Sequence, residues 1–382
     1  MPPTLDFVYF DAGGGHRSAT LALQSVIASE GYPWNVRLLN LQELLDPLDG
    51  FRQLTGYRTQ DLYNLLLAKG WTLGTKYLLR FMHFVIRRYH SRHVDLLAKV
   101  WRERRPDLVV SLVPNFNRAL FDSLAKALPG TPFVTILTDL ADYPPHFWIE
   151  QQPQYFICGT DRAVAQALSL GHPPTRVFRV SGMILRPQFY ENKSAHIDGF
   201  AALPPLDSHL PTGLVLFGGE GSHAMYSIAQ RLGNSAAKLQ LILICGRNAA
   251  LQNRLEHLRT SNRLHVVGFT ADVPLYMRSS DFFIGKPGPG SISEALHMGL
   301  PAIVEKNAWT LPQERFNADW VGENGLGLVL PNFRGIENAV EYLLEGDRLA
   351  RMKAKALALN NRAVFEIPQV LAKILEPILS GI

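Results

Sequence analysis

The chain has 382 residues, of which 47% are hydrophobic and 19% charged, a globular composition with enough length for two domains. Its two cysteines, Cys158 and Cys245, are far apart and lack metal-ligand spacing, which argues against a disulfide framework and a zinc site. The first residues enter a strand pattern directly, and no run of about 18–20 apolar residues occurs. Neither a signal peptide nor a membrane-spanning helix is predicted, and we expect a reducing, cytoplasmic setting.

The net charge of +5 is unevenly distributed along the chain. Residues 51–105 contain twelve Lys and Arg but only three acidic residues. A region this basic predicts contact with an anionic partner surface. Its cations form no nucleic-acid recognition motif, so we expect no nucleic acid among the partners.

Twelve short β-type runs alternate with helical patterns along the chain. They read TLDFVYF, NVRLLNL, DLVVSL, PFVTILTDL, YFICGT and RVFRVSG, and then GLVLFGG, LQLILICG, LHVVGF, DFFIGK, PAIVEK and GLGLVL. Several are apolar on both faces, as parallel strands covered by helices are. The repeated βα units predict two doubly wound α/β, Rossmann-like domains at 1–190 and 211–360.

A stretch rich in Pro, Ser, Asp and Gly separates the two series and predicts a linker at 191–210. The last residues, 361–382, form a broken helical pattern that we expect to pack back on the first domain. In this architecture a ligand belongs in a cleft between the carboxyl ends of the two sheets.

The loop after the first strand, DAGGGHRSA, contains three glycines followed by His16. Glycines let the backbone approach a ligand closely, and the N–H groups that open the next helix favour an anion. The spacing matches neither the dinucleotide-binding fingerprint nor the Walker loop. The loop is therefore either a tight structural turn or a ligand loop in which the His16 imidazole acts as a general base.

Two glycine loops follow strands of the second domain. In LFGGEGSHA, Gly218 and Gly219 come just after a strand, and Ser222 is placed to cap the next helix. In KPGPGSISEALHMG, the Pro-Gly repeat predicts a turn, and Ser291 is predicted to open a helix whose first N–H groups can hold phosphate oxygens.

Polar residues near these loops allow two interpretations each. Glu294 is placed either to bind a ribose diol or to complement the helix dipole, and Arg247 either to pair with an anion or to lie in solvent. The loop TLPQERFN supplies Gln313, Glu314 and Asn317, which suit sugar hydroxyls or an ordinary polar loop.

The motifs DAGGGHRSA, FVTILTDL, VSGMILRPQF, LILICGRN, VVGF and KPGPGSISEALHMGLPAI, followed by QERFN and VGENGLG, occur in this order from about residue 6 to residue 330. In this they resemble the monogalactosyldiacylglycerol synthases and the related bacterial diacylglycerol glycosyltransferases of glycosyltransferase family 28. The resemblance implies an α/β GT-B fold, with two Rossmann-like domains facing each other across a cleft. It also implies a UDP-sugar donor held mainly by the second domain and inversion at the anomeric carbon without a metal or other cofactor.

The same resemblance implies roles for single residues. His16 matches the histidine proposed as catalytic base, and Asp139 matches the aspartate of the TDL motif, which we expect to orient or assist it. Phe269 matches a uracil contact, Glu294 a ribose contact and Gln313-Glu314 the sugar contacts. The predicted donor site as a whole consists of Gly14, Gly15, Gly218, Gly219, Glu220, Arg247, Phe269, Pro287, Gly288, Gly290, Ser291, Glu294, Gln313, Glu314 and Asn317.

Three departures from the family pattern bear on the substrates. Pro312 replaces a usual Gly before the Gln-Glu pair, Val113 replaces a usual His, and the segment ADYPPHFW after TDL differs. These departures leave the transferred sugar and the acceptor site open. No DxD metal motif occurs, since DLAD at 139–142 has the wrong spacing.

Residues 76–92 read as one helix with a basic stripe containing Lys76, Arg80 and Arg87. An apolar face formed by Leu78, Met82, Val85 and Ile86 is predicted roughly opposite it. Such a segment can lie in an anionic membrane interface or be a core helix with a solvated face. With Arg88, these cations form the predicted membrane and acceptor side, which places the protein peripherally on the inner face of the cell membrane.

The leading functional hypothesis is an inverting hexosyltransferase that uses a UDP-sugar and a membrane lipid, diacylglycerol foremost. One alternative is an N-acetylglucosamine transferase acting on a polyprenyl-linked or other glycolipid. An alternative of another class is a UDP-sugar 2-epimerase, which shares the architecture and needs no lipid.

Overall fold

A computed structural model describes residues 2–11, 15–48, 75–143, 147–191, 203 and 205–379. The chain divides into two compact units. The first unit consists of Met1–Pro187, Leu311–Gln313 and Asn361–Ile382, and the second of Gln188–Thr310 and Glu314–Asn360. The second unit thus begins three residues before the predicted end of the first domain, and most of the predicted linker lies outside the described residues.

The first unit is built on a six-stranded sheet in which every pair of neighbouring strands is parallel. Its strands are β1 (Thr4–Tyr9), β2 (Asn35–Asn40), β3 (Leu108–Ser111), β4 (Phe133–Ile136), β5 (Tyr155–Cys158) and β6 (Val177–Arg179). The order β2-β1-β3-β4-β5-β6 reverses direction between β1 and β3. In open α/β sheets ligands bind at this reversal, outside the carboxyl ends of the strands.

The second unit repeats this topology. Its strands are β7 (Thr212–Leu216), β8 (Gln240–Ile244), β9 (Arg263–Val267), β10 (Phe282–Gly285), β11 (Ala302–Glu305) and β12 (Gly327–Leu330). They form a second parallel sheet in the order β12-β11-β10-β7-β8-β9, with the reversal between β7 and β10. All twelve predicted strands are confirmed. Runs that are apolar on both faces are typical of parallel strands covered by helices on either side.

The helices cover the two sheets. Those of the first unit before its last segment are α1 (Gly15–Ser29), α2 (Leu41–Leu45), α3 (Thr75–Arg88), α4 (His90–Arg104), α5 (Asn117–Ala127) and α6 (Asp161–Ser169). Those of the second unit are α7 (Ala224–Gly233), α8 (Ala249–Glu256), α9 (Val273–Arg278), α10 (Pro289–His297), α11 (Arg315–Glu323), α12 (Ile336–Leu344) and α13 (Arg348–Ala358). Short 3-10 turns lie at Asp46–Leu48, Pro174–Arg176, Pro187–Phe189, Pro312–Glu314 and Phe333–Gly335.

The C-terminal helix α14 (Ala363–Leu379) belongs to the first unit and packs against α1. Its first turn is fixed by polar contacts to the segment after β6. Asn361 donates from Nδ2 to the carbonyl of Met183 at 2.9 Å, and the carboxylate of Glu366 accepts from the backbone N–H of Ser181 at 2.6 Å. The helix is continuous although its sequence pattern reads as broken.

The basic helix predicted over 76–92 is two helices. α3 ends at Arg88, and α4 begins at His90. Tyr89 lies between them, outside helical geometry, with φ −98° and ψ 6°. Because the helical geometry is interrupted at Tyr89, a single helical wheel drawn through 76–92 does not apply to the side chains beyond it.

Candidate functional site

His16 lies at the reversal point of the first sheet. The helix α1 begins at Gly15, one residue before His16, at the carboxyl end of β1. The imidazole Nδ1 lies 2.9 Å from the hydroxyl oxygen of Thr138, and its ring centroid lies 5.8 Å from that of Trp148. Gly14, the other glycine predicted here, lies outside the described residues.

Burial controls the charge of His16. Desolvation lowers the pKa of His16 from 6.5 to about 4, and a backbone hydrogen bond at Leu112 acts weakly in the opposite direction. The imidazole is therefore neutral at physiological pH. A neutral imidazole next to a ligand-binding edge is able to accept a proton from a hydroxyl group.

Asp139 is held close to the same place by Trp148. The carboxylate is buried, and its Oδ2 accepts a hydrogen bond from the indole N–H of Trp148 at 2.7 Å. Trp148 is fixed in turn, since its backbone N–H donates to Asp142 at 2.7 Å and its carbonyl accepts from Asn117 at 3.0 Å. The tryptophan thus contacts both residues that the sequence predicts to be catalytic.

Sequence reasoning missed Thr138 and Trp148. Thr138 directly precedes Asp139 in the TDL motif, which was a signal for it. Trp148 lies in the segment after that motif, where the sequence departs from the family pattern and gives no role to any one residue. Only the fold brings its indole ring next to both His16 and Asp139.

The donor loops lie at the reversal point of the second sheet. Gly285 of β10 is paired with Leu216 of β7, so the loops after both strands start side by side. Gly218 has a φ of 81°, which favours glycine. Gly219 accepts a hydrogen bond from the backbone N–H of Arg247 at 2.8 Å, and a Cβ on Gly246 would clash with the same Gly219 carbonyl. The loops after β7 and β8 are therefore packed directly against each other.

The helix after the Pro-Gly repeat begins two residues earlier than predicted. α10 starts at Pro289, with Gly288 as an N-cap that has no side-chain hydrogen bond, and Ser291 is its third residue. Proline suits this first helical position because its ring has helical φ and the missing N–H has no partner there anyway. The first turn therefore presents backbone N–H groups without a side-chain cap, and a Cβ on Gly290 would meet open space.

The second predicted cap also lies differently from the prediction. α7 starts at Ala224, after the N-cap residue His223, and not directly after Ser222. The Ser222 hydroxyl still accepts from the backbone N–H of Ala224, at 3.2 Å. The loop after β7 is consequently one residue longer than the sequence indicates.

Phe269 and Arg247 form an exposed pair. The Arg247 guanidinium lies 4.7 Å from the centroid of the Phe269 ring, and the ring is 62% exposed. Arg247 also lies 3.5 Å from the carboxylate of Glu220. An exposed aromatic face bordered by a cation and a carboxylate is suited to stacking a planar base.

The polar residues near α10 have distinct environments. Glu294 is half-buried on α10, and Glu314 is buried with its carboxylate 3.7 Å from the ammonium group of Lys286. Gln313 is half-buried and belongs to the first compact unit. Its side-chain oxygen is buried and has no hydrogen-bond partner among the described residues.

Asn317 has a structural position that the sequence did not indicate. It lies inside α11 and not in a loop, it is fully buried, and its amide donates to the carbonyl of Pro287 at 2.9 Å. Pro287 and Gly288 are themselves buried. The side-chain N–H of Asn317 therefore supports the loop that leads into α10, its Oδ1 has no hydrogen-bond partner among the described residues, and its contact with the donor stays a prediction.

The predicted acceptor side centres on α3. Lys76 and Arg80 lie in this helix, but their side chains are outside the described part of the chain. Arg87 and Arg88 are exposed. Val85 of the predicted apolar face is exposed together with Phe84, which is 64% exposed. Apolar and cationic side chains therefore share one solvent-facing surface.

A pocket of about 200 Å³ lies beside α3 in the first unit. It is lined by His83, Ile86, Arg87, His90, Asn115, Arg118, Ala119 and Glu150. His83 Nε2 lies 2.6 Å from the side-chain oxygen of Asn115. Desolvation raises the pKa of Glu150 to about 7, although Arg118 and Arg87 lower it. Sequence reasoning singled out Ile86 and Arg87 of this pocket, whereas Asn115, Arg118, Ala119 and Glu150 come from other segments of the chain.

The described residues contain neither a membrane-spanning helix nor a metal cluster. In the ranges given above, no helix is long and apolar enough to cross a membrane. Within the same residues, no group of three or more His, Cys, Asp or Glu side chains is arranged to hold a metal ion.

Comparison with known proteins places the chain in a family. Residues 214–362 match the glycosyltransferase family 28 C-terminal domain. A probable chloroplastic monogalactosyldiacylglycerol synthase of Nicotiana tabacum is 30% identical over 375 residues, covering 94% of this chain and 68% of that protein. The processive diacylglycerol beta-glucosyltransferase of Bacillus subtilis is 24% identical, covering 89% of this chain and 87% of that protein.

The fold has a known counterpart as well. The crystal structure of Acinetobacter baumannii MurG matches with a TM-score of 0.62 at 13% identity, covering 97% of this chain and all of that one. The two parallel Rossmann-like sheets, together with the structural match to MurG, identify the GT-B fold. The chain therefore belongs to the monogalactosyldiacylglycerol synthase family of glycosyltransferases, within glycosyltransferase family 28.

Proposed function

We propose that this glycosyltransferase moves a hexose from a UDP-sugar to a membrane lipid, with diacylglycerol as the foremost acceptor, and inverts the anomeric carbon. The observation that carries the proposal is His16: a half-buried imidazole, kept neutral by desolvation and held by Thr138 at the ligand-binding edge of the first sheet. Relatives whose names specify diacylglycerol or its galactolipid support the acceptor.

The chemistry is a single displacement. The acceptor hydroxyl oxygen attacks C1 of the sugar, a new C1–O bond forms, and the C1–O bond to UDP breaks with its electron pair going to the phosphate oxygen. His16 takes the proton of the attacking hydroxyl, and Thr138 and Trp148 orient the two side chains nearest to this step. One displacement on the face opposite the leaving group inverts the anomeric configuration.

The second unit is proposed to hold UDP. Phe269 offers an exposed face for uracil, Glu294 a carboxylate for the ribose diol, and the uncapped first turn of α10 its N–H groups for phosphate oxygens. Preorganised N–H donors supply stabilisation that other transferases take from a divalent ion. We therefore expect turnover to persist in excess EDTA, and dependence on added Mg²⁺ would contradict this part of the proposal.

Membrane contact is assigned to the surface of α3. Phe84 and Val85 can enter the interface while Arg87 and Arg88 face anionic headgroups. This combination supports a protein that lies peripherally on the inner face of the cell membrane. Sedimentation with anionic vesicles, but not neutral ones, and release by high salt are the expected results.

The discriminating experiment measures UDP release and the lipid product together. A panel of UDP-glucose, UDP-galactose and UDP-N-acetylglucosamine is offered with vesicles that contain or lack diacylglycerol. The proposal expects UDP release only when diacylglycerol is present, together with one monoglycosyl lipid product. Turnover with N-acetylglucosamine on a polyprenyl-linked acceptor would favour the first alternative, and lipid-independent conversion of the sugar would favour an epimerase.

A further inference from the structure

Lys286 is a cation that sequence reasoning did not single out. It directly follows β10, at the reversal point of the second sheet, next to the loop after β7. Its side chain is 48% exposed, so its ammonium group is accessible to a ligand. Cationic side chains at this edge of a parallel sheet lie where ligands of open α/β domains bind.

The Lys286 side chain lies along both glycine loops. Its Cε is 3.9 Å from where a Cβ on Gly218 would lie and 3.5 Å from where a Cβ on Gly288 would lie. Because neither glycine carries a side chain, the space beside the lysine stem is open. The ammonium group therefore lies between the loop after β7 and the loop that leads into α10.

Glu314 restrains this lysine without saturating it. The distance from Lys286 Nζ to Glu314 Oε1 is 3.7 Å, which is an ion-pair distance but longer than a hydrogen bond. An ammonium group has three N–H donors, so it keeps donors for an anion. The Glu314 side chain is only 11% exposed, so its carboxylate is held in place while the Lys286 ammonium stays accessible.

The backbone around Lys286 is fixed from below. The buried Asn317 amide donates to the carbonyl of Pro287, the residue after Lys286. The N-terminus of α10 then begins three residues after Lys286. A point charge and a set of backbone N–H donors thus follow β10 within a few residues of each other, and both kinds of donor suit a doubly charged phosphate group.

We propose that Lys286 binds the diphosphate of the nucleotide donor and stabilises the negative charge that develops on departing UDP. This inference rests on the proposed function, which supplies the donor. As the C1–O bond breaks, its electron pair goes to the β-phosphate oxygen, and the Lys286 ammonium interacts with that oxygen without giving up a proton. Lys286 is therefore a catalytic residue, because it touches the leaving group.

The test compares Lys286→Gln with a matched control, Lys353→Gln. Lys353 lies 3.0 Å from the carboxylate of Asp281, which immediately precedes β10, so it forms a similar pair at the opposite end of the same strand. Binding of UDP, UMP and uridine to each protein is measured by calorimetry, and steady-state turnover is measured with the sugar and lipid that the wild type uses.

Lys286→Gln is expected to weaken UDP binding about 10- to 100-fold, as loss of a charged hydrogen bond does. Uridine binding should be unchanged, and the preference for UDP over UMP should largely disappear. Lys286→Arg should bind UDP within a few-fold of the wild type, and Lys353→Gln should behave as the wild type. We expect kcat to fall in Lys286→Gln at saturating donor, because the charge is needed most as UDP leaves.

Equal UDP affinity in wild type and folded Lys286→Gln would overturn the inference while leaving the proposed function intact. A wild-type protein that binds no UDP would instead overturn the donor assignment, and the inference with it. Thermal unfolding of every variant is recorded, and Lys286→Arg separates loss of charge from loss of fold. An equal loss of UDP and uridine binding in a folded Lys286→Gln would also count against a role at the diphosphate.

Discussion

The two sheets have the same strand order, yet their reversal points have opposite chemical character. At the first, His16 is surrounded by Thr138 and the indole ring of Trp148, and burial keeps its imidazole neutral. At the second, open glycine loops, an uncapped helix N-terminus and the half-exposed Lys286 favour an anion. The same strand order therefore carries two different sites. The first unit has a desolvated histidine suited to proton transfer, His16 with Thr138 and Trp148, which we call the dry site. The second unit has a cationic site suited to phosphate.

The contrast comes from the loops at the carboxyl ends of the central strands. In the first unit, the buried ring of Trp148 and the half-buried hydroxyl of Thr138 lie beside His16 and contribute to its desolvation. In the loops after β7 and β10, Gly219 and Gly290 are exposed, and the first turn of α10 has no side-chain cap. Desolvation favours a neutral base and exposure favours a charged binding group, so the two sites divide the proposed reaction between them.

Replacing His16 is the strongest way to break this comparison. His16→Ala is expected to lower kcat about 10²- to 10⁴-fold, because general-base catalysis contributes in that range. UDP binding should not change, since the donor loops belong to the other unit. Single-turnover kinetics with the natural lipid, alongside UDP calorimetry, check both parts; near-normal turnover would remove His16 from the mechanism.

Replacing Trp148 tests whether the dry site also needs the hydrogen bond from the Trp148 indole N–H to Asp139. Trp148→Phe keeps an aromatic ring near His16 but deletes the N–H that donates to Asp139 at 2.7 Å. Loss of a hydrogen bond to a charged group predicts about a tenfold or larger fall in kcat. KM for the UDP-sugar should stay the same, and a variant that lowered only thermal stability would reduce Trp148 to a packing role. Phe147→Leu, which changes the neighbouring buried ring and no side-chain hydrogen bond, serves as the control.

Much of this comparison could be predicted from the sequence, and the missing parts share a physical cause. Strands that are apolar on both faces are a local signal, and the glycine loops and His16 lie directly after such strands. Trp148 and Glu150 could not be found this way, because their roles depend on segments far apart in the chain. Lys286 is the first residue of a recognised motif, yet a lysine in a loop has no distinctive pattern until its neighbours are known.

For Asn317 the predicted local structure was wrong, because the residue lies in a helix and not in a loop. Its polar side chain in a loop-like sequence indicated a ligand contact, whereas the helix α11 turns it inward to the Pro287 carbonyl. A short amide serves sugar hydroxyls and backbone carbonyls equally well, so residue type alone does not separate the two roles. The burial of Asn317 favours the supporting role, and burial depends on where the helix begins.

Replacing Asn317 tests whether this residue supports the loop at Pro287 or contacts the ligand itself. Asn317→Ala leaves the carbonyl of Pro287 without its buried donor, which costs about 1–3 kcal/mol in the free energy of unfolding. UDP binding should weaken only a few-fold, because the residue acts through the loop and not on the ligand. Asn324→Ala is the matched control, since that residue is exposed at the end of the same helix and its amide donates to the carbonyl of Trp320 within that helix. Denaturant unfolding and calorimetry measure the two effects, and a large loss of UDP binding without loss of stability would restore Asn317 as a ligand contact.

The smallest expected effect concerns the pH dependence of the dry site. An ordinary histidine base would give kcat/KM an acid limb near pH 6.5, whereas the lowered pKa of His16 moves that limb to about 4. Between these values the unfolded chain binds a proton at His16 and the native protein does not. The stabilisation from a neutral His16 is therefore complete above pH 6.5 and is lost as the pH falls toward 4. We expect kcat/KM to change little between pH 7 and 5 on account of His16, while unfolding experiments show a shallower pH dependence in His16→Ala over the same interval. An acid limb near 6.5 that disappears in a variant retaining some turnover, such as His16→Gln, would mean that His16 is hydrated in solution, and the contrast between a dry and a cationic reversal point would fail.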